Sequence, residues 1–338
     1  MREYRVKDPI HGMIYFDKEE KSIIDHPLFQ RLRRIKQLSS SYYVYPGANH
    51  TRFEHSLGVM HLSGLIAQHL GEDEKEARLY GLLHDIGHVA FSHDGEHVLQ
   101  KLGYIQDHED LGKRLAEEEG WEIKPKDIVY FEFGSDRLDY LKRDAYYTGV
   151  SYGVIELDNL LANMARDGPY LGIKEKAIES AESMLIGRHM MFSAVYFHKT
   201  GIVVSAMIRK MLEEGLQKGW IDLDDLIWKG DEIILDRLRR EGSLWAKRIL
   251  DRKLLKVLAR VKDLTSDQRQ ALEEKGILIY YIGRPKKYDG LILTKEGPKK
   301  IVQVSKLARA LYSAEEDKQG YILIGEPDQK PLLEKVIG

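Results

Sequence analysis

Between Leu83 and His93 the chain reads LHDIGHVAFSH. His84 and Asp85 are adjacent, His88 follows four residues after His84, and His93 comes five later. Imidazoles and carboxylates ligate divalent ions, and imidazole carries protons near neutral pH. Nine of the 13 histidines fall between His50 and His108. Scattered surface histidines would not cluster in this way. His55 precedes the His-Asp pair, and two neutral imidazoles with a carboxylate suit Mn, Fe, Co, Ni or Zn. A further carboxylate is available in FGSDRLDYLKRDAYY, at Asp136, Asp139 or Asp144. One ion cannot hold every histidine. His88, His93 and His108 are therefore candidates for general acid, general base or anion binding. His61, His69 and His97 fit solvated helix faces.

These residues need elements to position them. Apolar spacing predicts a helix over 16–38, followed by a polar loop, SSSYYVYPGANHT. RFEHSLGVMHLSGLIAQHL reads as an amphipathic helix with Phe53, Leu57, Met60, Gly64 and Leu65 on one side. DEKEARLYGLLHDIGH reads as the next helix, with acidic residues in its first turn as the helix dipole prefers. If these two pack antiparallel, His55 meets His84 and Asp85. Further helical patterns cover 94–102, 108–118, 135–147, 176–191 and 194–217. Asp167-Gly168 between short alternating segments predicts a hairpin. After about residue 276, GILIYYIG, GLILTKEG and GYILIGE read as strands bounded by glycines. The expected fold is mostly α: a helical domain over 1–265 and a small mixed α/β region over 266–338.

Composition narrows the function. The chain has 338 residues, 43% hydrophobic and 31% charged, in the ordinary range for a globular protein. A net charge of -2 provides no basic field for nucleic acid or anionic membrane. No apolar run approaches the roughly 20 residues of a membrane helix. The first residues lack the apolar stretch of a signal peptide, so the cytoplasm is the expected location. With no cysteine, disulfides, thiolate catalysis and zinc-thiolate sites are excluded.

HTRFEHSLGV, LLHDIGHVAFSH and SDRLDYLKRDA together resemble the motifs of the HD-domain superfamily of metal-dependent phosphohydrolases. The resemblance is nearer to the deoxynucleoside triphosphate (dNTP) triphosphohydrolase branch, and it runs from DPIHG through FQRLRRIKQL and YYVYPGANHTRFEHSLGV to AVYFHK. It implies an HD-type helical core in which His55, His84, Asp85 and Asp136 ligate one divalent ion. That ion could be Mn, Fe, Co, Ni, Zn or Mg, with an additional Mg carried by the nucleotide. Arg52, Arg137 and Arg188 match phosphate-binding positions, Arg137 replacing a lysine common in relatives. His88, His93 and His108 match active-site histidines, and Glu96 stands where relatives often have Asp. Gln37, Leu38, Tyr140, Asp144, Tyr196 and His198 match residues of the sugar and base pocket. Phe192 stands where some relatives carry histidine. Asp25, Gln30 and Arg33 match a site where GTP or dGTP activates relatives at a subunit interface, which implies a dimer or tetramer.

Three activities fit such a chain. The first is hydrolysis of a dNTP to deoxynucleoside and tripolyphosphate. The second is another phosphohydrolase, acting on a phosphomonoester or phosphodiester. The third is a nucleotide sensor with an inactive site. The arginines, with Tyr196 and Asp144, favour the first: a triphosphate carries about four negative charges and arginine suits phosphate geometry. A tyrosine ring against the 2′ carbon would exclude a ribose hydroxyl, and a carboxylate can accept from the 3′ hydroxyl.

Overall fold

The computed structural model describes residues 2–153, 155–284 and 288–337. The chain opens with an antiparallel hairpin, β1 (Tyr4–Asp8) and β2 (Gly12–Phe16). The single helix expected over 16–38 is broken into three pieces: Lys18–Ile24, Pro27–Gln30 and a 3-10 turn at Arg31–Arg34. Pro27 is the cause. It has no N–H to continue the ladder and disfavours helical backbone at His26. Asp17 starts the first piece by accepting from the Glu19 and Glu20 amides, while Glu20 reaches back to the Asp17 amide.

The helix Arg52–Leu70 lies at the centre of the molecule. It is buried on nearly every side rather than along one apolar face, and Leu65, expected inside, faces out at 38% exposure. It packs against the helices Glu74–Leu83 and Ser135–Thr148. The expected helix through His88 stops at Leu83, which leaves His84 as its cap and Asp85 at the start of a loop. Phe91 and Ser92 reverse that loop in the left-handed region, at φ 64° and 48°. The helices Ser92–Lys101, His108–Glu118 and Ile178–Met191 follow the expected spacing closely. The one expected over 194–217 begins later, at Lys199, because a π turn over Phe192–Tyr196 intervenes.

The hairpin at Asp167-Gly168 is present as β3 (Met164–Asp167) and β4 (Tyr170–Lys174). β5 (Lys256–Val261), β6 (Leu278–Ile282), β7 (Leu291–Thr294), β8 (Gly297–Lys300) and β9 (Gly320–Gly325) complete the strands. One sheet has the order β3-β4-β7-β8, with β4 and β7 parallel; the other has the order β5-β9-β6. Each joins residues from both sides of position 265. The two large cores do the same. Ile282, Ile322 and Ile324 enter the first, and Tyr288, Ile292, Ile301 and Ala308 enter the second. Among the described residues no single helix is long and apolar enough to cross a membrane.

Candidate metal centre and substrate cavity

Three elements bring the four expected ligands together: the central helix supplies His55, the end of Glu74–Leu83 supplies His84 and Asp85, and the first turn of Ser135–Thr148 supplies Asp136. His55 Nε2 lies 3.2 Å from Asp136 Oδ1 and 3.6 Å from Asp85 Oδ2. His84 Nε2 lies 3.3 Å from Asp85 Oδ1 and 3.8 Å from Asp136 Oδ1. Neither Nε2 makes a hydrogen bond, although both are buried. The opposite ring nitrogens are occupied. His55 Nδ1 is 2.7 Å from Asp139 Oδ2, and His84 Nδ1 is 2.8 Å from the Gly81 carbonyl. With Nδ1 as the donor on each ring, both Nε2 atoms would be free to ligate a divalent ion beside the two carboxylates. Burial opposes a charge on His55, yet Asp136, Asp139 and Asp85 raise it to about 10. An ion binding there must displace that proton.

Asp139 was one of three carboxylates open as the last ligand. It instead stands behind His55, holding the ring. It also pairs with Arg143 at 2.8 and 2.9 Å and with His11 at 2.6 Å. Burial opposes its charge, but Arg143 and the two imidazoles hold it well below the usual carboxylate range. Arg143 continues to Asp8 at 2.8 Å, and Asp8 accepts from the Ile10 and His11 amides. The DPIHG stretch thus braces the candidate metal centre, a role the sequence reading did not assign to Asp8 or His11. His61 lies beside the His11 ring, with centroids 5.6 Å apart. It is half-buried and pushed down to about 4 by burial and by His11, so it does not lie on a solvated face.

The loop bearing His84, Asp85 and His88 is pinned from behind. Fully buried Arg31 donates to the His88 carbonyl at 2.6 Å, to the Ile227 carbonyl at 3.0 Å and to the Ile86 carbonyl. Asp231 Oδ1 accepts from the Phe91 amide at 2.7 Å. Gly87 allows the close approach of the helix His108–Glu118: a Cβ there would stand 2.0 Å from the His108 carbonyl.

Glu96 bridges two histidines. One oxygen is 3.0 Å from His93 Nδ1; the other is 2.7 Å from His108 Nδ1 and accepts the His108 amide at 3.1 Å. His108 stacks on His88 with centroids 4.1 Å apart. Burial raises Glu96 and lowers His108, but their pairing wins. Glu96 is held far below its ordinary value and His108 above its own. Burial and Arg52 push His88 well below, and neither of its nitrogens has a hydrogen bond.

A cavity of about 750 Å³ opens from this corner. Asp136, Tyr140 and Asp144 line it from one face of their helix, as the i, i+4, i+8 spacing dictates. Gln37, Leu38, Arg52, Arg137, Arg188, Tyr196 and Phe192 also line it, with His88, His93 and His108. Arg52 pairs with Asp85 at 2.6 Å and donates to Ser92 Oγ at 3.1 Å. Arg137 donates to the Tyr130 and Phe131 carbonyls. Arg188 is buried and pairs with Glu132 at 2.8 Å. Asp144 Oδ2 accepts from the Tyr196 hydroxyl at 2.6 Å. The π turn presents Phe192 edge-on to Tyr196 and Phe197, at 5.0 and 5.4 Å.

His198 lies outside this lining; its Nδ1 accepts from the Thr200 amide and caps the helix Lys199–Gln217. Asp25, which caps the end of Lys18–Ile24, and Arg33, in the 3-10 turn Arg31–Arg34, are both exposed. Gln30 Oε1 accepts from Arg33 Nε at 2.9 Å, and Asp25 pairs with Lys21. Tyr280, Arg284, Glu315 and Lys318 line the cavity from the C-terminal region, and Ser205 and Arg209 line it from the helix Lys199–Gln217. Sequence reasoning missed these because no local motif carries them.

A family model described as the HD domain matches residues 52–139, and one described as the HD associated region matches residues 155–277. A protein of Methanocaldococcus jannaschii is 35% identical over 92% of this chain and 76% of its own length. The human deoxynucleoside triphosphate triphosphohydrolase is 30% identical over 60% of this chain, which spans 43% of that protein. A solved phosphohydrolase from Bacteroides thetaiotaomicron superposes with a TM-score of 0.78 at 27% identity, covering 96% of this chain and 99% of the other. Family models, a relative matched along most of its length and a metal-ready His-His-Asp corner agree: the chain belongs to the HD-domain phosphohydrolase family.

Proposed function

We propose that the protein hydrolyses deoxynucleoside triphosphates to deoxynucleoside and tripolyphosphate. The observation that carries this reading is a single cavity joining the metal-ready corner to three arginines and to the Asp144–Tyr196 pair. His55, His84, Asp85 and Asp136 would hold the divalent ion. Bound there, it would polarise a phosphoryl oxygen and make water a better nucleophile. Arg52 and Arg137 neutralise and orient the triphosphate, with Arg188 at the cavity wall. His93, aligned by Glu96, gives a proton to the departing 5′ oxygen, and His108 shares that carboxylate. Tyr196 crowds the 2′ position and Asp144 accepts from the 3′ hydroxyl. Leu38, Phe192 and Phe197 offer the base apolar and stacking contacts rather than hydrogen bonds.

One observation favours a second reading. Arg188 already pairs with buried Glu132, which reduces the charge it offers to a triphosphate. A phosphohydrolase acting on an ester with fewer charges fits that pairing. Each dNTP and NTP, with simple phosphate esters as controls, should be supplied with Mg, Mn, Co or Ni. Deoxynucleoside released only from dNTPs supports the first reading; release of phosphate from the esters supports the second.

Asp25, Gln30 and Arg33 form the proposed activator site. Addition of GTP or dGTP should then raise both turnover and oligomer size in gel filtration. Unchanged turnover and size remove that site from the account.

A further inference from the structure

His50 takes no part in the metal centre. Its side chain is fully buried, and its Nε2 lies 2.8 Å from Asp144 Oδ1. Asp144 Oδ2 holds the Tyr196 hydroxyl. The two oxygens of one buried carboxylate are therefore each engaged, one by the imidazole and one by the phenol. The His50 ring stacks on Tyr147, with centroids 4.7 Å apart and planes 18° from parallel. This stack fixes the ring's orientation, and its Nδ1 has no hydrogen-bond partner. The backbone of His50 ties down the facing loop as well: its carbonyl accepts from the Gln37 amide at 3.0 Å.

We propose that His50 is a positioning residue for sugar selection, holding the Asp144 carboxylate so that Tyr196 is locked against the 2′ position of the nucleotide. This rests on the reading of Asp144 and Tyr196 as the sugar subsite. A carboxylate engaged on one side only can rotate about its Cβ–Cγ bond. The Tyr196 hydroxyl would then lose its fixed acceptor, and the ring could swing aside to admit a 2′ hydroxyl. Discrimination against an added hydroxyl depends on a rigid wall, because the pocket gains little by apolar contact alone.

The test compares dATP with ATP in three variants of the full chain. His50→Phe keeps the stack on Tyr147 but removes the donor; His50→Leu removes it differently, should Phe fail to fold. His50→Gln retains a donor. The readouts are the dATP-to-ATP ratio of kcat/KM and the ratio of the two dissociation constants by calorimetry, which needs no turnover. The donor-less variants should lower both ratios about tenfold, a loss on the scale of one hydrogen bond to a charged group. His50→Gln should recover most of the preference. Because His50 acts through Asp144 and Tyr196, adding His50→Phe to Tyr196→Phe should cause no further loss. Ratios within twofold of wild type in a folded donor-less variant, or additive losses in the double variant, overturn the proposal. A wild-type protein with no deoxy preference in either readout overturns the sugar-subsite reading and His50's role together, whereas a preference untouched by His50 overturns only the latter.

Discussion

His55 and His84 face the same point but are held differently at their far nitrogens, one by a carboxylate and one by a backbone carbonyl. Asp139→Asn should therefore weaken metal retention without removing a ligand. The expected loss is about 10–100-fold in affinity, as for other carboxylates that orient ligating imidazoles, read by chelator competition. Unchanged affinity would mean that His55 needs no orienting partner. The Glu96–His108 pair makes a pH prediction. Glu96 titrates below its ordinary 4.5, so its contribution is present above that value and fades as pH falls through its depressed one. His108 titrates above its ordinary 6.5, so its contribution is full below 6.5 and fades as pH rises through its elevated value. Glu96→Gln should flatten both slopes in thermal melts against pH and cost about 1–3 kcal/mol between them. The candidate ligands were legible as a set because they lie in short ordered motifs. His11 was not, since its partner Asp139 is 128 positions away and nothing local marks the pair.

The elements that carry these residues meet at backbone distance. A Cβ on Gly58 in the central helix would stand 1.9 Å from Asp139 Oδ1 and 2.5 Å from Arg143 Nη2. Gly58→Ala must therefore push the bracing carboxylate aside. It should destabilise by about 1–3 kcal/mol in chemical denaturation and lower metal affinity as well. A stable variant with normal metal binding would show that the two helices can separate freely. Arg31→Met removes three carbonyl contacts behind the His84–His88 loop, and it should reduce metal affinity though Arg31 touches no ligand. Most helices were legible from apolar spacing. The split at Pro27 was legible in principle, because proline stops a helix whatever the pattern around it. The full burial of the central helix was not. A helix surrounded by others loses the polar face that periodicity detects, and Ser63 and His55 inside it meet Ser135 and Asp139 instead of water.

At the scale of the whole molecule, sheet and core join what the sequence texture separates near 265. β5 pairs with β9, β4 pairs with β7, and both large cores draw on residues beyond 276. Calorimetry should give one unfolding transition, and two resolved transitions would support a separable C-terminal domain. The change in texture was real, since the segments at 278–282, 291–294 and 320–325 are strands, but pairing between strands so far apart in the chain leaves no local trace. The same region places Tyr280, Arg284 and Lys318 on the cavity that the HD motifs open. Arg284→Ala should raise KM for the nucleotide while leaving kcat nearly unchanged, as loss of uniform binding requires. A fall in kcat alone would move Arg284 closer to the chemistry. The central claim is that water attacks the α-phosphorus and expels the deoxynucleoside. Hydrolysis of a dNTP in water enriched in oxygen-18, with mass analysis of the products, tests it directly. The account predicts label in the tripolyphosphate and none in the deoxynucleoside. Label in a nucleoside monophosphate or in free phosphate would contradict it and place the cleavage at another bond.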